Sequence, residues 1–186
     1  MASHRRDPHT PSASYLRFWQ DRHLCTLTTL RADGTPHVVP VGVTYDPGAG
    51  LARVIASRSS AKVRHVLAAG GGGGESPAGG PGGPGGPGGS GAPGGTGGPG
   101  TSGGPGGSDA PGGSGGPGRP GGAPVAVCQF EGRLWATLEG LAVVRTEPEL
   151  IADAERRYEE RYGRAPRPNP NRVLIEIALT AALGNC

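Results

Sequence analysis

The chain has 186 residues, a net charge of +3, 38 glycines and 20 prolines, and only 4% aromatic residues. Thirty of those glycines fall between Gly70 and Gly122, so the tract from 70 to 124 is almost wholly Gly, Pro, Ser, Thr and Ala, too poor in apolar side chains to offset the entropy of ordering it, and it is expected to be disordered. Without the tract about 130 residues remain, enough for one core and not for two, and the modest charge argues against a nucleic-acid surface, which needs a dense basic stripe.

Residues 1–14 read as a disordered start. Arg5 and Arg6 have no apolar run behind them, which argues against an export signal, and no window approaches transmembrane length. Cys25, Cys128 and Cys186 have no paired spacing and fit a reducing cytoplasm, with Cys25 and Cys128 expected as buried thiols. The expectation is a cytoplasmic protein without membrane or metal sites.

Taken in chain order, His23 to Leu30 predicts a strand, Ala32-Asp33-Gly34 a turn, and the run from His37 to Tyr45 a second strand, with Val39, Val41, Val43 and Tyr45 alternating on one face. Asp46-Pro47-Gly48 turns the chain into a third strand, Leu51 to Ser57. A short helix follows over Ala61 to Ala69, with Ser59 or Ser60 as N-cap and Val63, Val66 and Leu67 turned inward. Beyond the tract, Val125 to Phe130 and Leu134 to Val144 form a hairpin at Glu131-Gly132. Thr146-Glu147-Pro148-Glu149 has the form of a capping box, opening a helix whose Leu150, Ile151, Ala154, Tyr158 and Tyr162 make one packing stripe. Pro166-Arg167-Pro168-Asn169-Pro170 is extended and stiff, and Val173 to Leu179 is the last strand. Five or six antiparallel strands with two peripheral helices make an α+β, mainly β domain: a small barrel assembled from residues 15–69 and 125–184.

Three places can carry chemistry. Pro40 and Gly42 are poor central-strand residues and suit either an edge strand with a bulge or a strand that lets a flat ligand approach its backbone. Ser57, Arg58, Ser59, Ser60 and Lys62 gather hydroxyls and two cations at a helix N-terminus, either an anion site or a capped, solvated helix start. Arg157 and Arg161, followed by Arg164 and Arg167, form either a second anion surface or a solvated face paired with Glu155, Glu159 and Glu160. His23 and His37 read as surface residues.

The runs Asp21-Arg22-His23-Leu24, Leu27 to Asp33, Pro36-His37-Val38-Val39, Val41-Gly42, Ala52 to Ile55, Cys128-Gln129, Leu138-Glu139-Gly140 and Pro166 to Pro170 resemble the deazaflavin-dependent reductases of the split β-barrel superfamily. The likeness is strongest to the coenzyme F420-dependent biliverdin reductases, relatives of the pyridoxamine 5'-phosphate oxidase-like, FMN-binding proteins. The resemblance implies a homodimer of split barrels with the cofactor in a groove between subunits. It sets His37, Val38, Val39, Pro40 and Val41 along the deazaflavin ring and Ser57, Arg58 and Lys62, with Val63 beside them, on the phosphate. Trp135, Arg157, Arg161, Arg167 and Asn169 would line the cofactor tail or the substrate from the partner subunit. The activity implied is hydride transfer from reduced F420 to the central methine bridge of biliverdin. An FMN-dependent oxidase or reductase of the same fold, and a non-catalytic binder of a flavin-like cofactor or tetrapyrrole, are the alternatives.

Overall fold

Seven strands run antiparallel in the order β2-β1-β5-β6-β7-β4-β3, where β1 is Leu24–Leu30, β2 Pro36–Val41, β3 Thr44–Asp46, β4 Leu51–Ser57, β5 Ala123–Glu131, β6 Leu134–Arg145 and β7 Arg172–Gly184. The computed structural model describes residues 5–70 and 121–186, and these fall within one compact unit. Most of the tract, residues 71–120, lies outside the described residues.

The two edge strands of this sheet are neighbours in sequence. Val41 ends β2 and Thr44 begins β3, with only Gly42 and Val43 between them. Three Cα steps span at most about 11 Å, whereas the edges of a flat seven-strand sheet stand about 29 Å apart. The sheet must therefore curl until its edges meet. They meet without pairing, since β2 pairs only with β1 and β3 only with β4. The result is a barrel with a seam. The single strand expected over His37 to Tyr45 is thus two strands on opposite edges, broken where Gly42 and Val43 cross the seam.

Alternation sets what faces inward. On β1 the buried residues are Cys25, Leu27 and Thr29, and on β5 they are Ala123, Val125, Val127 and Gln129. Cys25 is buried as expected, but Cys128 has the opposite parity to Val127 and Gln129 and is only half-buried. Leu138, Ala142, Val173, Ile175, Ile177, Val54 and Val43 complete the centre of the core, all with no exposed surface. Each large apolar side chain buried this way is worth about 1.5–3 kcal/mol. β7 runs to Gly184, five residues past its expected end, and pairs with β6 across a register shift between Glu139 and Gly140.

The start of the chain corrects the sequence reading. Residues 5–14 lie along the barrel: Arg6 exchanges backbone hydrogen bonds with Ala182, and the Tyr45 hydroxyl donates to the Pro8 carbonyl. Helix α1 (Ala13–Gln20) follows, capped by the Ser12 hydroxyl, which accepts from the Tyr15 amide at 3.3 Å. Tyr15, Phe18 and Trp19, at helical spacing, close one end of the core.

Helix α2 is Ala61–Ala69 and helix α3 is Pro148–Tyr162. The N-cap of α3 is Glu147 rather than Thr146, and no side chain caps it. The reason is Pro148: the residue before a proline is driven out of the helical region, and Glu147 is extended at ψ 124°, so the helix cannot begin earlier. The helix packs across β3, β4 and β7 and is pinned by charge. Asp46 of β3 accepts from Arg53 at 3.3 Å and pairs with Arg157 at 3.2 Å, and Arg157 also reaches Asp153 at 2.7 Å. Among the described residues no helix is long and apolar enough to cross a membrane.

Candidate functional site

The seam opens into two clefts that share a wall. The first has a volume of about 420 Å³ and is bounded by Pro40, Val41 and Gly42, by Ile55 of β4, by Lys62 of α2, by Tyr158 of α3 and by the Pro166–Asn169 segment. The second, of about 440 Å³, lies against the same Pro40, Val41, Gly42 and Tyr158 and continues towards Arg22, Leu24 and Tyr162.

Gly42 makes this arrangement possible. A Cβ there would lie 2.5 Å from Cε2 of Tyr158 and 3.2 Å from Cε2 of Tyr162, so the close approach at this position is made by the tyrosines of α3. The two rings stack at 4.5 Å between centroids, tilted by 33°. β2 is an edge strand with Pro40 exposed within it, but it pairs with β1 in unbroken register without the bulge that the edge-strand reading expected, and Gly42 lies just past its end.

The electrostatics of the first cleft are positive. Arg172, the first residue of β7, is neutralised by Glu155 of α3 at 2.5 Å and also donates to the Arg167 carbonyl, which ties the proline-rich segment to the barrel. Asn169 steadies the same turn, its Oδ1 accepting from the Asn171 amide at 2.9 Å. Lys62 is different. It is half-buried, and among the described residues no carboxylate pairs with it. Burial pushes its pKa below the ordinary lysine value. Just before it, the Ser60 hydroxyl at the N-cap of α2 is buried with no hydrogen-bond partner and makes no capping bond. A half-desolvated ammonium on the first turn of a helix, with no carboxylate partner among the described residues, is suited to an anionic oxygen.

Of the residues singled out from the sequence, the structure brings Pro40, Val41, Lys62, Arg167 and Asn169 to this cleft. The others stand elsewhere. Val39 is half-buried and Val38 is 57% exposed on the outer face. His37 sits at the start of β2, its ring edge-on to His65 of α2 with centroids 4.9 Å apart, and its Nδ1 lies 3.3 Å from Arg31. Ser57 ends β4 with its hydroxyl 3.4 Å from that of Ser59, and Arg58 projects to solvent while its amide donates to the Asn171 carbonyl. Val63 is wholly buried in the core, so its side chain reaches no cleft. Trp135 stands opposite Phe130 on β6, its amide bonded to Asn185, and lines neither cleft.

Arg157 and Arg161 do not form a free cationic face. Arg157 is held by Asp153 and Asp46. Arg161 turns into the protein, where its guanidinium donates to the carbonyls of Val43 and Asp21 and to Gln129 Oε1, and lies over the rings of Trp19 and Tyr162. Gln129, wholly buried, also accepts from Cys25 Sγ at 3.1 Å and donates to the Phe18 carbonyl. Arg161 is thus the bolt that fastens α3 to the crossing at Val43. Ile55, Tyr158 and Arg172 are cleft residues that the sequence reading did not single out for binding. Only Tyr158 had been marked as facing the barrel, by its place in the helical stripe, and nothing local said that the wall there was also a cleft wall.

The same fold occurs in solved proteins of low sequence identity. An F420 reductase structure aligns with a TM-score of 0.51 at 16% identity, covering 93% of this chain and 98% of the other. A candidate pyridoxamine 5'-phosphate oxidase from Listeria innocua aligns with a TM-score of 0.52 at 10% identity, covering 91% and 93%. These define the class as a split β-barrel of the pyridoxamine 5'-phosphate oxidase-like type. No protein-family model matches the chain. At the level of sequence it is 32% identical over 170 residues to the F420H(2)-dependent biliverdin reductase of Mycobacterium tuberculosis (strain CDC 1551 / Oshkosh), covering 91% of this chain and 85% of that protein. The chain belongs to the family of that reductase.

Proposed function

We propose that the protein is an F420-dependent oxidoreductase that reduces biliverdin to bilirubin, with the cofactor in the first cleft. The observation that carries the assignment is Lys62: half-buried, without a carboxylate partner among the described residues, and lining the same cleft as the edge strand at Pro40–Val41. The family relationship supplies the reaction type, and the relative's own name supplies the substrate. When bound, reduced F420 supplies a hydride, which biliverdin accepts at its bridging carbon while one proton is taken up on nitrogen.

The chain's own residues do the binding and orienting. Lys62 would hold phosphate, and Arg167 and Asn169 would hold the remaining anionic part of the cofactor. Pro40, Val41 and Gly42 offer a narrow strip of backbone against which a flat ring can lie. Ile55, Pro166 and Pro168 would face one side of it. The protein is further proposed to be a homodimer through the outer face of the sheet. There Val38, Leu30, Pro124 and Leu141 lie beside one another across β2, β1, β5 and β6, and the first two are 57% and 38% exposed.

The test is a titration of the purified protein with F420 and, separately, with FMN, following the fluorescence of its two tryptophans. F420 is expected to bind more tightly. Turnover is then followed at the bilin absorbance band with reduced F420 and biliverdin, and no change in that band sinks the assignment. Tighter binding of FMN would move the protein to the flavin-dependent branch of the same fold.

A further inference from the structure

The second cleft has a chemistry of its own. Two arginines line it, Arg22 just before β1 and Arg164 just after α3. Both are exposed, and among the described residues neither is paired with a carboxylate. The acid among the lining residues is Glu131, whose Oε2 lies 3.5 Å from Nδ1 of His23 and is turned to that partner. Between the cations the surface is apolar: Leu24 is 70% exposed, and the stacked rings of Tyr158 and Tyr162 stand beside it. An apolar surface set between two guanidinium groups without carboxylate partners is suited to a ligand that is apolar in its body and anionic at its ends.

We propose that this cleft is the substrate subsite, taking a flat conjugated dicarboxylate with its apolar body against Leu24 and the Tyr158–Tyr162 pair and its two carboxylates on Arg22 and Arg164. The assignment rests on the reading of the first cleft as the cofactor site, because the two clefts meet at Pro40, Val41, Gly42 and Tyr158. That shared wall is where a reacting carbon would face the hydride. Of the arginines that the sequence offered as a second anion surface, Arg164 lines this cleft together with Arg22, whereas the guanidinium groups of Arg157 and Arg161 are committed inside the fold. A guanidinium presents a planar fork that matches a carboxylate, so two of them at separate points read both the charge and the spacing of the acid groups.

The experiment uses the full chain and the double variant R22Q/R164Q, with biliverdin and its dimethyl ester as probes. Both arginines are exposed and unpaired, so the variant should melt with the parent. The expected result is a rise of at least tenfold in KM for biliverdin, F420 affinity within twofold of the parent, and equal KM values of parent and variant for the ester. A biliverdin KM within twofold of the parent, or an ester KM that rises as much as that of the acid, overturns the subsite. If the parent binds F420 but does not turn over, biliverdin binding to the F420-loaded protein is titrated at the bilin band under the same tenfold criterion. No binding there overturns the subsite while the cofactor assignment stands. Bilin binding that depends on Arg22 and Arg164 in a protein that does not bind F420 supports the subsite and removes the cofactor assignment.

Discussion

Lys62 is an ammonium pulled partly out of water with no carboxylate partner among the described residues, a cost that an anion bound in the proposed site would offset. Lys62→Ala should lower F420 affinity at least tenfold, the loss of a charge-assisted contact of roughly 1.5–3 kcal/mol, read by tryptophan fluorescence. The shift of its pKa adds a pH signature. Burial lowers that pKa, so the ammonium loses its proton earlier on the alkaline side than an exposed lysine, and a bound anion favours the protonated form. Affinity should therefore be full at neutral pH and fall as the pH rises through a value below the ordinary lysine range. Lys62→Arg, permanently charged, should keep binding over the same range. Equal alkaline profiles for the two proteins would show that Lys62 is not the titrating contact. Arg161 is the opposite case, a cation whose two terminal nitrogens are spent on internal acceptors. Arg161→Ala strips donors from the carbonyls of Val43 and Asp21 and from Gln129. A loss of about 2–3 kcal/mol in urea unfolding is expected, with a much smaller change in F420 affinity once the protein is folded.

At the scale of elements, the strands that alternate were legible because their pattern is local, and so was most of α3. Helix α1 was not read, although Ser12, Tyr15, Phe18 and Trp19 carry a cap and a helical stripe; eight residues are too few for the period to stand out against the polar start before them. The break at Gly42–Val43 was hidden for a different reason. Its cause is the Tyr158 and Tyr162 rings, far along the chain, and the residues from His37 to Tyr45 alternate well enough to pass for one strand. The candidate site divided the same way. Lys62 and the strip at Pro40–Val41 were readable from local chemistry, whereas the fates of Arg157, Arg161 and Val63 were decided by tertiary partners. Gly140 offers a test of the pairing at the middle of the sheet. It follows the register shift of β6 against β7, and a Cβ there would run into the Ala178 carbonyl oxygen, a backbone atom with nowhere to go. Gly140→Ala should cost about 3 kcal/mol or more, seen as a large drop in melting temperature or failure to accumulate folded protein.

For the whole molecule, the barrel is assembled from two stretches of chain on either side of a tract that supplies none of the cleft residues named above. Replacing residues 71–120 by a Gly-Ser connection of about ten residues shortens the closing loop fivefold, and loop-closure entropy then favours the folded state by roughly 1.4 kcal/mol. The shortened protein should melt no lower than the parent and bind F420 within twofold. A collapse of stability or binding would give the tract a role in the folded domain. The proposed dimer is checked on the same two proteins by sedimentation, with both expected at twice the chain mass.

The seam between β2 and β3 has a further consequence, for motion rather than binding. Among the described residues β1 is the one strand that pairs with β2, and beyond Val41 β2 is held by the two-residue crossing and by what α3 presses against it. A strand paired on one side can peel from the barrel without unfolding the five strands at the sheet's centre, so its amides belong to the least protected part of the sheet. In hydrogen exchange, Val38 to Val41 should exchange well before Val54 or Ile175. Occupation of the first cleft should slow them, because a ligand lying along β2 supplies the second neighbour that the open edge lacks.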